Sequence, residues 1–446
     1  MKTRFSYHFV MLLVSLFVCI NSFGQGSTSP ITIHVEKEGT LSSYIADSKK
    51  DQISYLKLSG CLNGTDFDYL RKMGSLEILD LKDISIVKGG EPYIYKGVSD
   101  ESGTYYGDSY TTENNTISKY LFSYYKFLTK IIIPNTVDKI SEDAFRSLNL
   151  KEIIVDDSHK YFSDVEGVLF NKDKTKLITY PCNANSSYTV PQSVLEISAY
   201  AFKYSGLNTV NIPYNVKTIG SRSFYSCESL TTVNMSNSVE EIGFEAFRSC
   251  VKLTSINISN RLKYIEEGTF RDCKSLTKIE IPEGVERIDF YAFDYYIKTI
   301  SIPSTMKEIV DLPTVDIEEI YCYASNPPIW NCKGQLSVSD EAVLYVPKGT
   351  YNAYWLSKGW GDFKNIVEMD YTPTSNGSIE SISELNIISN KGGISIDTKE
   401  PMPIRLYDMQ GQLIWSKLVD RHERISLSNG VYLIHYKDKV CKVIVY

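Results

Sequence analysis

The chain has 446 residues, 43% of them hydrophobic and 23% charged, with a formal net charge of −7. That length exceeds one ordinary domain, and that apolar share suits a folded core, which excludes a disordered or low-complexity chain. No basic cluster offsets the negative balance, which excludes nucleic acid as an expected partner.

At the start, Lys2 and Arg4 precede an apolar run from Phe9 to Ile20, and the small residues Ser22 and Gly24 follow it. This is the plan of a secretory leader, assigned to 1–25. The run is too short to span a bilayer, and no later segment is longer, so no transmembrane segment is expected in the mature chain. A lipid anchor at Cys19 conflicts with bulky Val18 before it. The expected location is outside the cell: exported, then at the cell surface (outer membrane attached) or extracellular. Loss of Lys2 and Arg4 with the leader takes the net charge from −7 to −9.

Residues 26–116 begin a repeat. "ISYLKLSGC" (53–61) and "LEILDLKDI" (76–84) share an L-x-x-L-x-L frame 23 residues apart. The frame is then interrupted by "VKGGEPYIYKGVSDESGTYYGDSYTTENNT" (87–116), which holds Tyr93, Tyr95, Tyr105, Tyr106 and Tyr110. Two readings stay open for this insertion. It is a solvated surface loop, or it is a recognition loop built from Tyr, Ser and Gly, which bind at low entropy cost.

From 117 to 322 the repeat is explicit. Ile recurs at 117, 140, 197, 219, 242, 265 and 288, and Phe stands five residues after each, at 122, 145, 202, 224, 247, 270 and 293. A stretch L-x-x-[IV]-x-[IMV] follows, as in Leu207/Val210/Ile212 and Leu230/Val233/Met235. Alternation at period two marks a strand with one buried face. Strands this short are stable only when stacked, so like residues of successive turns meet in ladders. Ten turns are expected. Ile, Phe, Cys and Leu form the inner rungs, and the drifting positions face water. Near 156–190 an insertion, "YFSDVEGVLFNKDKTKLITYP" (161–181), reads as a hairpin.

These residues resemble the bacterial BspA-like leucine-rich repeat proteins. The likeness rests on the frame I-x-x-x-[AS]-F-x-x-C-x-x-L-x-x-[IV], on the inserted hairpin, and on "AVLYVPKGTYNAYWLSKGWGDFKNIVE" (342–368), similar to that family's closing module. The implied fold is a β-rich leucine-rich-repeat solenoid of about 23-residue period, with a parallel sheet on one face. Residues 323–370, with Trp330, Trp355 and Trp360, are expected to cap it, because end turns expose a core. Residues 371–384 form a linker. Residues 385–446 change to short alternating strands separated by glycine-centred turns, the pattern of a small all-β sandwich. "LYDMQGQLI", "LSNGVYLI" and the terminal "KVIV" resemble the C-terminal sorting domain of type IX secretion cargo. That resemblance implies the secretion machinery as a partner.

Motifs for chemistry are sparse. No histidine or serine sits in a hydrolase, zinc-protease or kinase motif, so no catalytic residue, metal ligand or cofactor site is assigned. Cys227, Cys250 and Cys273 share one rung and read as small buried hydrophobes. Cys322 and Cys332 are left open as a disulfide pair.

The family resemblance implies a binding or adhesion protein whose ligand is an extracellular protein or glycan. An exported enzyme with its site in the insertions or cap, and a structural spacer, remain alternatives. In each strand the two residues between the inward ones point outward. Ile132 and Ile154 are then adjacent apolar residues on a wet face, just after the Tyr-rich insertion. The expected contact surface is Ile132, Ile154, Tyr105 and Tyr106, with Asn211 and Asn234 as its polar margin.

Overall fold

A computed structural model describes residues 29–446, apart from 100–104, 147–148, 332–336, 371–384, 391–392, 399–400, 409–411, 429, 437–438 and 446. The chain divides into two compact units, Met1–Met369 and Asp370–Tyr446.

The first unit is a leucine-rich-repeat solenoid. Fourteen short strands run parallel along one face in three sheets. The first sheet joins Ile31–Val35, Tyr55–Leu62, Ile78–Ile86, Lys130–Ile132 and Glu152–Ile154; the second joins Ser187–Thr189, Thr209–Ile212, Thr232–Met235 and Ser255–Ile256. The third joins Lys278–Glu280, Thr299–Ile302, Glu319–Cys322, Val343–Pro347 and Asn365–Met369. The ten expected turns thus become fourteen. Ile31–Val35, Ser187–Thr189, Val343–Pro347 and Asn365–Met369 pair like the others but lack the leucine spacing that marks the frame.

The register puts like beside like. Val210 pairs with Val233, and Val233 with Ile256. Inward side chains such as Ile131, Ile153 and Val210 are fully buried. The recurring Ile of the frame does more than fill space. With the residue before it, it forms a second parallel ladder of two-residue strands, for instance Glu196–Ile197, Thr218–Ile219 and Glu241–Ile242. Each turn that carries such a strand is therefore pinned at two places by backbone hydrogen bonds, which supports strands too short to persist alone.

Between the two ladders lies the phenylalanine stack. Phe202, Phe224, Phe247, Phe270 and Phe293 follow one another at ring-centroid distances of 4.6, 5.0, 5.7 and 5.6 Å, nearly parallel. Beside it, Cys227, Cys250 and Cys273 each donate a thiol hydrogen to the carbonyl of Phe202, Phe224 and Phe247, at 3.0, 3.2 and 3.2 Å. A small side chain with a weak donor suits this rung in these turns, where an alanine would leave the carbonyl bare, while Tyr125 and Tyr296 take the same position in the turns of Phe122 and Phe293.

Two residues before each Phe the backbone is left-handed: φ is 61° at Tyr200, 54° at Arg222, 52° at Glu245 and 65° at Gly268. These positions drift in sequence, yet they do not simply face water as expected. Arg222 Nε donates to Glu245 Oε2 at 2.6 Å, and Arg248 bonds the other oxygen of the same carboxylate. Arg222 also donates to the Tyr200 hydroxyl at 3.0 Å. The turns are zipped on this side by ion pairs and ring contacts, because equivalent positions of neighbouring turns lie one strand spacing apart.

The hairpin insertion is a meander of Phe162–Val165, Val168–Asn171 and Lys176–Thr179. It takes the place of a repeat turn. Ile153 donates its backbone N–H to Gly167 O at 2.9 Å, and Leu177 pairs with Ile197. The hydrophobic interior divides here into two clusters, one from Val35 to Leu169 and one from Val168 to Phe363. At the C-terminal end Trp330, Tyr354, Trp360 and Phe363 are buried together, and Trp360 donates to Pro328 O at 2.8 Å. Trp355 departs from the expected seal: it is 49% exposed beside Tyr351.

The second unit is a small antiparallel sandwich. One sheet orders Leu385–Asn390, Gly393–Thr398 and His422–Ser426; the other orders Leu413–Val419, Met402–Asp408, Gly430–Tyr436 and Lys439–Val445. Their inner residues, including Ile394, Ile396, Ile404, Leu406 and Ile434, form one core.

Candidate functional site

The outward positions of the fourteen strands form two columns along the sheet. Ile132 and Ile154 are direct register partners on neighbouring strands. Both are half-buried, while Ile131 and Ile153 between the columns are buried. The cause is the strand period of two combined with a shared register. Beside them Lys130 Nζ lies 2.7 Å from Glu152 Oε2, with both side chains substantially exposed. Such a pair contributes only about 0–1 kcal/mol to stability and serves chiefly to keep this edge of the apolar spot polar. On the other side Asp80 pairs with Ile132 in register.

Asn211 and Asn234 are also brought together. Asn234 Nδ2 donates to Asn211 Oδ1 at 2.7 Å, and Asn211 Nδ2 donates to Thr189 Oγ1 at 2.9 Å. The amides form a hydrogen-bonded ladder, and each still offers a ligand the donor and lone pair it does not use there. The two isoleucines and the two asparagines belong to different sheets, separated by the hairpin.

Tyr105 and Tyr106 lie in the strand Tyr105–Thr112, paired with Gly89–Ser99 in an antiparallel hairpin. Their side chains fall outside the described residues. The described root of that hairpin sits against the helix Gly64–Arg71: Glu91 N donates to Thr65 Oγ1 at 2.9 Å, and the Arg71 guanidinium lies over the Tyr93 ring. A side chain at Gly64 would collide with Glu91 O at 2.3 Å, so this root needs glycine there.

One feature of the face went unforeseen. Tyr321 and Tyr345 stack on the outer column with centroids 4.5 Å apart and planes 6° apart. Each is half-buried, and Tyr321 Oη bonds Glu319 Oε2 at 3.3 Å. The sequence held the clue: Ile317, Ile320 and Cys322 fit the frame, so Glu319 and Tyr321 are its outward pair. Near these strands a groove of about 630 Å³ is lined by Lys274, Tyr295, Tyr296, Lys298, Val315 and Glu318, among others.

The cysteines offer little reactivity. Burial pushes the thiols of Cys182 and Cys273 up to about 12 and that of Cys322 up to about 11. Cys322 is a free thiol that accepts a hydrogen bond from the Tyr354 hydroxyl at 3.2 Å; Cys332 lies outside the described residues. Among the described residues, no three or more His, Cys, Asp and Glu side chains gather closely enough to hold a metal ion. Nor is any described helix long and apolar enough to cross a membrane.

Comparison with known proteins agrees with the repeat. The family model for the BspA type leucine-rich repeat region matches in six copies over residues 115–195 and 195–312. That is under half of the chain. No curated protein matches it. Among solved structures, a leucine-rich repeat protein from Eubacterium ventriosum is 17% identical, with TM-score 0.42, covering 74% of this chain and 87% of its own. One from Bacteroides ovatus is 25% identical, with TM-score 0.41, covering 60% and 67%. The pneumococcal vaccine antigen PcpA is 18% identical, with TM-score 0.40, covering 77% and 68%.

Proposed function

We propose that this chain is an exported surface or secreted protein that captures an extracellular protein or glycan on the outer face of its parallel sheet. The carrying observation is the register pairing of Ile132 with Ile154 on the solvent side. Two β-branched apolar side chains stand side by side and only half-buried on a solvent-facing sheet, and a bound partner would cover them. The Asn211–Asn234 ladder supplies polar contacts further along, and the Tyr321–Tyr345 stack supplies a rigid aromatic edge of the kind enriched at binding surfaces. Tyr105 and Tyr106 belong to this reading as a second contact region on their own hairpin.

Export rests on the leader at 1–25 and the terminal sandwich. The sandwich is a compact unit with its own core, which suits an address that acts independently of the ligand surface. Deletion of 385–446 is expected to leave the solenoid folded but retained in the periplasm; normal surface display of the truncated chain overturns the sorting role.

The binding reading is tested with an array of matrix proteins and glycans, followed by the double change Ile132→Ser and Ile154→Ser. Affinity for the captured ligand is expected to fall at least tenfold with the melting temperature preserved. Unchanged affinity removes this face from the proposal.

A further inference from the structure

The junction between the two hydrophobic clusters holds a cleft of about 460 Å³, away from the outer sheet face. Its origin lies in the repeat itself. In a regular turn, the left-handed residue and the following Phe donate their N–H groups to carbonyls of the next turn. Tyr120 donates to Asp143 O at 3.1 Å and Phe122 to Ala144 O at 2.9 Å; Tyr200 donates to Ser221 O at 3.1 Å and Phe202 to Ser223 O at 2.7 Å. At the junction the equivalent donors are Asp143 and Phe145. The turn that would accept from them is 198–203, but the hairpin holds it off, and Tyr180 N takes the Ala201 carbonyl at 2.7 Å. Among the described residues, neither the Asp143 nor the Phe145 N–H has an acceptor. Both residues line the cleft.

Three further features converge on it. Ser198, 7% exposed, lines the cleft, with its partnerless hydroxyl shut off from solvent, as at Ser118 in the equivalent position of an earlier turn. Arg146 also lines it. Its guanidinium is fixed by bonds to the hydroxyls of Tyr124 at 2.9 Å and Tyr204 at 2.7 Å, and it lies over both rings. Among the described residues it meets no carboxylate within ion-pair distance, whereas its neighbours are neutralised: Lys203 pairs with Asp143 at 2.8 Å and Lys176 with Glu196 at 2.6 Å. The walls are aromatic, from Phe145, Phe162, Tyr180 and Tyr200, and exposed Glu142 stands at the lining as an acceptor.

Phe145 is buried and Asp143 half-buried, and amides left without a protein acceptor beside a cleft call for a partner rich in acceptors. A fixed guanidinium without a counter-charge selects a carboxylate, which it holds through paired hydrogen bonds. Acceptors beside aromatic walls suit the hydroxyls and the C–H faces of a sugar ring, and the volume fits a ligand of that size. We propose that this cleft binds a carboxylated sugar unit. Arg146 takes its carboxylate, the Asp143 and Phe145 amides donate to its oxygens, and Glu142 accepts from a ring hydroxyl. The cleft is distinct from the outer face, so the two readings fail separately.

The test is calorimetric titration of the purified protein with sodium glucuronate, glucose, and a short acetylated peptide with a free C-terminal carboxylate. Saturable glucuronate binding is expected, at least tenfold tighter than for either other probe. Arg146→Met should abolish the preference over glucose with an unchanged melting temperature. The double change at Ile132 and Ile154 should leave glucuronate binding intact. No glucuronate binding up to about 10 mM, a free energy near −3 kcal/mol, overturns the proposal. So does equal binding of glucose that survives Arg146→Met, or tighter binding of the peptide.

Discussion

Cys250 donates its thiol hydrogen to the carbonyl oxygen of Phe224, one repeat earlier, at 3.2 Å. The bond recurs at Cys227 and Cys273, while Ser205 holds the same rung with a hydroxyl 3.3 Å from Cys227 Sγ. In these turns the rung works through a small donor and does not depend on sulfur chemistry. Cys250→Ser should cost about 1 kcal/mol or less, the net worth of a hydrogen bond. Phe247→Ala should cost about 3–5 kcal/mol, because it removes a fully buried ring from the middle of the stack. Denaturant midpoints compare the two; a larger loss at Cys250 would show that the ladder is held by the thiols.

The same burial governs reactivity. Thiols pushed up to about 12 at Cys182 and Cys273, and to about 11 at Cys322, hold almost no thiolate at neutral pH. These three should resist a disulfide reagent in the native protein and react at once in denaturant. Peptide mapping after labelling decides it; rapid native labelling of Cys273 contradicts a closed solenoid.

Gly167 sits at the tip of the inserted hairpin with φ of 78°, and a Cβ there would lie 3.0 Å from Glu152 Cα. Gly167→Ala combines a left-handed backbone with a close backbone approach, so it should cost about 1–3 kcal/mol. Amide exchange in 162–179 should rise with it. Unaltered exchange would mean that the hairpin tip does not hold the turn at Glu152.

His159 couples the hairpin entry to pH. Its ring is buried, accepts the Tyr161 and Phe162 amides on Nδ1 at 3.2 Å each, and bonds Pro134 O through Nε2 at 3.2 Å. An acceptor Nδ1 requires the neutral ring, and burial, with a smaller push from Lys172, holds its pKa below 6.5 against the pull of Pro134 O and Asp156. Its contribution is complete above the unfolded value and is lost as the pH falls through the lower folded value. Protection of the Tyr161 and Phe162 amides should therefore be complete above pH 6.5 and decline as the pH falls below it. Protection that rises on acidification would reverse the sign.

Glu245 is 5% exposed and shared by Arg222 and Arg248. Burial alone would raise its pKa, but the two guanidinium groups outweigh it and hold it below 4.5. Glu245→Gln should cost about 1–3 kcal/mol by leaving two arginines short of an acceptor. The stability it supplies is present above pH 4.5 and should disappear as the pH falls through its lowered value. A wild-type acid limb identical to that of Glu245→Gln would refute this.

The solenoid, its register and its phenylalanine stack were legible in the sequence, because a 23-residue period repeats the same local demand and each rung is satisfied by its own copy in the next turn. Ile132 and Ile154 could be placed side by side for the same reason. The sequence also showed the alternation that makes the last segment a sandwich. Four strands escaped notice, since Ile31–Val35, Ser187–Thr189, Val343–Pro347 and Asn365–Met369 are held by a neighbour's edge and need no leucine frame of their own. Only the tertiary structure decided what lies where the period breaks. The hairpin holds one turn away from the next, and that displacement, which no local pattern encodes, leaves Asp143 and Phe145 without acceptors and Arg146 beside an open cleft.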